Sequence, residues 1–412
     1  MTARLKERLR YLGVCATGFI SSALLLSTAA LAQLKVQDPL TNPGFVHFYN
    51  NEYDEALAFF EGQVKSHPDD AGLYNHVAQS LLYREMLRNG ALESQLVTGS
   101  NPFLRRQKME ISAVDKAHFQ DCINHVIALS QARLKNDPHN EEALYYLGVA
   151  HGLRANYLFL VEKAWIDSLR EATAARKANQ AVLEHDPNFT DARLLLGLDQ
   201  YVVGSLPFYM RAIGFIGGFH GDREGGIRQL ERVANEGTMN RYDAQMLLAV
   251  IYRREHRPQQ AIPLLQDLAT IFPRNHLLRL EQVQMFSDSG DKDSALRVLN
   301  DVEALRRKGA PGYANLAPEK IAYVKANLLF WYNDLDPALA NLKQVTQKVD
   351  DLDLNTAAMA WLRLGQVYDL RGEHDRAVKA YQEIMKAAPN SDIASEAKGY
   401  ISNPYRRKPS NG

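Results

Sequence analysis

Apolar and small residues recur along this chain with helical spacing, and that spacing itself repeats. From Ala358, the stretch AMAWLRLGQVYDLRGEHDRAVKAYQEIMKAAPN places Trp361, Leu364, Gly365 and Tyr368 on one helix. After the turn Arg371-Gly372, Ala377, Tyr381 and Ile384 mark a second helix. Pro389 ends it, because proline cannot donate to the helical ladder. Gly365 and Ala377 are small where two helices cross closely, and the large residues fill the groove between them. The spacing predicts an antiparallel helix pair over this stretch.

The same arrangement lies on residues 242–275, with Ala249 and Tyr252, then Ala261, Leu265 and Leu268, then Pro273. Ala295 follows Ala261 by 34 residues, Ala338 comes 43 later and Ala377 another 39, so two units carry extensions of nine and five residues. Upstream, Ala56, Phe60 and Pro68 mark a first unit with a shortened leading helix. Leu147-Gly148 with Ala175, Val182 and Pro187 mark another, and Leu196-Gly197 with Gly226, Leu230 and Val233 the one after. The stretches around 72–138 and 276–307 are degenerate. This pattern resembles the tetratricopeptide repeat, a helix–turn–helix of about 34 residues. The resemblance covers most of residues 37–391. It implies an all-α, right-handed α-solenoid of about eight helix–turn–helix repeats. No stretch alternates with period two between hairpin turns, so no strands are expected. The repeat domain is set at 33–391. Residues 392–412 read as a capping helix to about Tyr400 and a frayed tail containing Pro404, Arg406, Arg407 and Lys408.

Three units exceed the repeat length between their two helices. The excess lies between Tyr83 and about Ile111, over 152–166 with Tyr157, Leu158, Phe159 and Trp165, and over 202–221. Insertions at one junction of successive units project from the same edge of a solenoid. Longer paired helices account for the first two. The third holds Phe208, Tyr209, Ile213, Phe215, Ile216 and Phe219 with Arg211 as its one charge, and six glycines and prolines break it. Its block LPFYMRAIGFIGGFHGDREGGIRQL, with the run Gly218-Phe219-His220-Gly221-Asp222-Arg223-Glu224, resembles a segment of the inclusion body clearance protein family within the tetratricopeptide proteins. That resemblance implies a noncatalytic protein linked to lipid droplets or aggregates. The segment is expected to fold back as a plug, or to meet a hydrophobic ligand or membrane surface through Phe208, Tyr209, Phe215 and Phe219.

Charge separates the chain into two unlike parts. The 48 Lys and Arg balance 48 Asp and Glu. Arg4, Lys6, Arg8 and Arg10 precede an uncharged run from Tyr11 to Leu31 that closes on Ala30-Leu31-Ala32. A basic start, an apolar centre and an A-x-A end describe a secretory signal peptide over 1–32, cleaved after Ala32, with a retained anchor as the alternative. Export to the periplasm or envelope of a bacterium follows. The remaining chain carries a net charge of −3 and gives no basic excess for nucleic acid. It keeps one cysteine, Cys122, which reads as a small buried residue.

Enzyme chemistry is not legible. No H-E-x-x-H, zinc-spaced Cys/His cluster, G-x-S-x-G elbow or phosphate loop occurs in the twelve-histidine sequence. His118 and His125 could share a helix face, while His67, His139 and His185 sit near unit ends beside prolines. Glu224 with Asp222 flanks Arg223, which suggests a salt-bridged turn. No metal or cofactor is expected. What remains is surface. The tetratricopeptide resemblance implies a concave groove on the first helices, carried here by Tyr145 and Val149, by Met246, Val250 and Arg253, and by Leu362, Gln366 and Asp369. The sequence therefore points to a non-catalytic exported scaffold for a protein or peptide partner. Lipid binding through 201–219 is the alternative.

Overall fold

The structure is a computed structural model that describes residues 37–92, 108–206, 221–389 and 391–407. The chain divides between Lys35 and Val36, and all described residues belong to the second part. Among them there are seventeen α-helices and no strand. They form eight consecutive pairs and a cap: α1 (Pro43–Tyr49) with α2 (Tyr53–Ser66), α3 (Ala71–Arg88) with α4 (Ala113–Asn136), α5 (Glu141–Tyr157) with α6 (Trp165–His185), and α7 (Arg193–Gly204) with α8 (Arg223–Glu236). Then follow α9 (Arg241–Arg254) with α10 (Pro258–Ile271), α11 (His276–Asp288) with α12 (Lys292–Arg307), α13 (Pro318–Trp331) with α14 (Leu335–Thr346), α15 (Leu354–Leu370) with α16 (His374–Ala387), and α17 (Asp392–Ser402). The all-α solenoid and its number of repeats agree with the sequence pattern.

Short-range chemistry sets where each helix starts and stops. Asp70, Ser112, Asn140, Asp222, Asn275, Asp291, Asp353 and Ser391 each accept a backbone N–H of the following first turn, the N-cap arrangement. Within pairs, one turn geometry recurs. The N–H of Glu52, Ala91, Arg257, Asp291, Asp334 and Glu373 donates to the carbonyl five residues earlier at 2.7–3.0 Å. The residue just before each of these donors, Asn51, Gly90, His256, Gly290, Asn333 and Gly372, lies in the left-handed region. This is the Schellman closure that turns a first helix into its partner.

The small positions are the crossing points. Ala56, Ala261, Ala295, Ala338 and Ala377 are all fully buried. Gly197 and Gly226 bring α7 and α8 into backbone contact: a methyl on Gly226 would meet the Gly197 carbonyl oxygen and the Tyr201 amide nitrogen at 2.6 Å. Gly226→Ala is therefore expected to destabilise by about 2 kcal/mol, overpacking against rigid backbone exceeding the helix-propensity gain. Gly399→Ala in α17, where nothing lies within 4 Å, should instead stabilise by up to about 1 kcal/mol. Urea unfolding of the two variants gives opposite signs if the crossing governs.

The second and third units have lengthened helices, while residues 93–107 of the first insertion lie outside the described residues. Helices α3 and α4 run to 18 and 24 residues and α5 and α6 to 17 and 21, against 14 each for α9 and α10. A π-turn at Leu158–Glu162 extends α5 further. In the third insertion, Gly204 and Gly221 stand backbone to backbone, so the chain leaves α7 and returns to α8 at one point. Residues 207–220, with the candidate side chains Phe208, Tyr209, Phe215 and Phe219, lie outside the described residues, as do the leader and Lys408. No described helix is long and apolar enough to cross a membrane.

Two departures from a plain linear stack matter. The α1–α2 turn docks on the distant α10–α11 turn: Glu52 binds the Arg274 guanidinium at 2.5 and 2.9 Å, and Asn50 and Asn51 bond Arg274 N and Asn275 Oδ1. The other correction concerns the C-terminus, where the tail expected to fray is held as far as Arg407. Tyr405 N donates to Asp369, and Arg407 donates to the carbonyls of Phe330 and Trp331 at the end of α13.

Candidate functional site

Every helix packs on its chain neighbour, but first helices also touch first helices: α3 with α5, α11 with α13, and α13 with α15. This closer approach makes the first helices the inner layer of the stack, where a groove would lie. The inner layer is partly filled by the protein itself.

Of the eight residues expected to line it, five are engaged internally. Tyr145 is buried, its ring edge-on to Phe189 at 5.1 Å and its hydroxyl accepting from Asn240 Nδ2 at 2.9 Å. Arg253 crosses to the next unit, donating to Asp288 at 2.8 Å and Gln284 at 3.2 Å. Leu362 is buried, and buried Gln366 accepts from Arg363 at 2.6 Å. The Asp369 carboxylate is fully enclosed and bonded by Tyr381, Tyr405 and His374. Val149, Met246 and Val250 remain half-buried and accessible.

A carboxylate that the sequence reading passed over shares a face with two of these, Met246 and Val250. Asp243 lies one turn before Met246 and two before Val250, hence on the same face of α9. Its Oδ2 accepts from the Tyr49 hydroxyl at 2.6 Å, and among the described residues no cation pairs with it. Nearby Asp191 accepts from Thr238 N and Asn240 N, and Asn240 carries the network on to Tyr145. Burial, reinforced by the Asp191 charge, raises the Asp243 carboxyl to about 6 despite the Tyr49 hydrogen bond. The sequence signal for it was an acid at groove spacing.

A raised carboxyl favours the folded state only while protonated. Its contribution is full below the ordinary value of 3.8 and is lost as pH rises through about 6. The span is worth roughly 3 kcal/mol at most. Asp243→Asn keeps an acceptor for Tyr49 and removes the charge. Its stability advantage over the unmodified protein should grow between pH 4 and pH 7, which paired urea titrations at several pH values would register.

The remaining expected chemistry resolves into structure. Arg223 reaches Glu255 at 3.2 Å and Glu224 reaches Arg257 at 2.6 Å, so these charges pair with the α9–α10 turn and not with one another as the sequence suggested. His118 stands 3.7 Å from Glu61 while His125 stacks on Tyr74, so the two share no ligand. Burial pushes the Cys122 thiol up to about 12, which makes it unreactive. Among the described residues no three His, Cys, Asp or Glu groups come together as a metal site.

The last pair, α15 and α16, carries a family match of its own. A profile of the tetratricopeptide repeat matches residues 359–391. These residues form a tetratricopeptide repeat. No curated protein matches the sequence. Among solved structures the chain is similar to the APC/C hetero-tetramer Cut9–Hcn1, at 15% identity over 87% of this chain and 54% of that one, with a TM-score of 0.48. It thus spans about half the length of that chain. It is also similar to human IFIT1, solved as a dimer with m7Gppp-AAAA, at 15% identity, 90% and 81% coverage and a TM-score of 0.45. Yeast Tom70 is similar at 11% identity, 90% and 89% coverage and a TM-score of 0.40.

Proposed function

We propose that this protein is a non-catalytic scaffold that holds a protein or peptide partner on the inner face of its first helices. The observation that carries the reading is the half-buried face of α9 formed by Asp243, Met246 and Val250, with Val149 half-buried on α5. Apolar side chains next to a carboxylate without a cation suit a segment bearing apolar residues and one basic group. The near balance of charge favours such a partner over nucleic acid, which calls for a basic excess. We further propose export, with cleavage after Ala32, so that the working chain acts in a bacterial periplasm or envelope. The resemblance of 201–231 to the inclusion body clearance family lends its architecture to this reading and not its cellular setting.

The test is cross-linked capture from the envelope with the chain from Gln33 onward, alongside Met246→Glu/Val250→Glu, which places charge on half-exposed positions. A specific protein recovered by the first and lost by the second supports the groove. Recovery of the same partner by both, or of none even after cross-linking, overturns it.

One observation keeps a second reading in view. At the start of α6, Trp165, Ile166 and Leu169 are 40, 69 and 50% exposed. Lipid contact there, together with 201–219, predicts vesicle binding that deleting 202–220 abolishes while partner capture survives.

A further inference from the structure

The histidines beside prolines at unit ends are used by neither the fold nor the groove. The structure brings two of them together. His139 lies in the turn between α4 and α5, His185 closes α6, and both are exposed. His139 Nδ1 and His185 Nε2 are 2.7 Å apart, with ring centres 4.2 Å apart and ring planes at 61°.

Those two distances distinguish between arrangements. A head-on N–H···N bond of this length aims each nitrogen at the other and sets the ring centres about 5 Å apart. Two imidazoles bound cis to one tetragonal ion, each about 2.0 Å from it, have nitrogens about 2.8 Å and centres about 4.5 Å apart. A tetrahedral ion opens the nitrogens to about 3.3 Å. The observed spacing, 2.7 Å between nitrogens and 4.2 Å between ring centres, sits nearest the cis tetragonal geometry.

We propose that His139 and His185 form a surface site for a tetragonal divalent transition metal, copper(II) foremost, with water completing its coordination. Copper(II) heads the affinity order for nitrogen donors, so two imidazoles hold it where they hold other ions weakly. No third His, Cys, Asp or Glu joins the pair among the described residues, which disfavours zinc, whose protein sites take three or four protein ligands. The backbone is set before the ion arrives. Asp137 accepts from the His139 N–H at 3.2 Å, and Asn140 caps α5 one residue on. A bound ion would tie the turn after the second repeat to the turn after the third, an added cross-link between neighbouring units.

Titration of the full chain with copper(II) alone, in a non-coordinating buffer at neutral pH, tests this by calorimetry and electron paramagnetic resonance. One equivalent should bind with hyperfine structure from two nitrogens. His139→Ala and His185→Ala should each weaken that binding at least tenfold and remove one nitrogen from the spectrum. His67→Ala, the third histidine of the series, should bind like the unmodified chain. Both ligands are exposed, and circular dichroism confirms that the variants fold. Affinity unchanged by either substitution, a spectrum lacking two-nitrogen coupling, or equal loss in His67→Ala overturns the site.

Discussion

Tyr49→Ala is expected to cost about 3–5 kcal/mol, the range for truncating a large buried aromatic. The side chain is 2% exposed and packs on Phe272 at 5.0 Å, Phe48 at 5.3 Å and Tyr242 at 5.6 Å. It is the central apolar contact between the first repeat and the α10–α11 turn, and its hydroxyl bonds Asp243. A solenoid distributes stability over neighbouring units, so the loss should appear locally before it appears globally. Hydrogen exchange should rise selectively in α1, α2 and around residues 272–276. The Glu52–Arg274 pair and the bond from Asn275 Nδ2 to the Tyr49 carbonyl survive the substitution, so docking should loosen and not vanish. Tyr49→Phe keeps the ring and leaves only the Asp243 hydrogen bond unmade, at about 1 kcal/mol. Unchanged exchange in Tyr49→Ala would show that the polar contacts alone hold the first repeat in place.

Asp369→Ala is expected to cost about 3 kcal/mol and to release the C-terminal tail. Removing the carboxylate leaves three groups without their partner, the Tyr381 hydroxyl at 2.7 Å, the Tyr405 N–H at 2.8 Å and the half-exposed His374 imidazole at 2.6 Å. Each buried, unsatisfied donor costs about 1–3 kcal/mol. The hydrogen bond to Asp369 also raises the His374 imidazole above its ordinary 6.5. That contribution is complete below the ordinary value and is lost as pH rises through the raised one, so the gap between protein and variant should be wider at pH 5.5 than at pH 9. Once Tyr405 is free, Arg406 and Arg407 become open to trypsin. Faster tryptic loss of the tail, with a stability gap that shrinks toward alkaline pH, is the combined signature; a pH-independent gap would assign the whole cost to Tyr381 and Tyr405.

The helix pairs were legible because their causes are local. Proline ends, Asp and Asn caps and the alanine at each crossing act within a few residues. The left-handed turn was readable where Gly372 or Gly290 fills it and hidden where His256 or Asn51 does, since a non-glycine residue there is held by the surrounding closure. The groove residues were read from repeat spacing, yet Tyr145 and Arg253 reach other units, Asp369 holds the tail, and Leu362 and Gln366 are buried. Spacing says which face of a helix a residue occupies. It does not say what else covers that face.

The sequence by itself determined the α-solenoid, its eight pairs and the lengthening of the second and third, because each follows from periodicity, capping and small-residue spacing within a single unit. Only the tertiary structure decided that the first repeat docks near residue 274, that the tail is pinned by Asp369 and the end of α13, that Asp243 meets Tyr49, and that His139 meets His185. Those pairings join residues up to 226 positions apart. They depend on how far each unit rotates against the next, a sum of many small packing angles that no local pattern records.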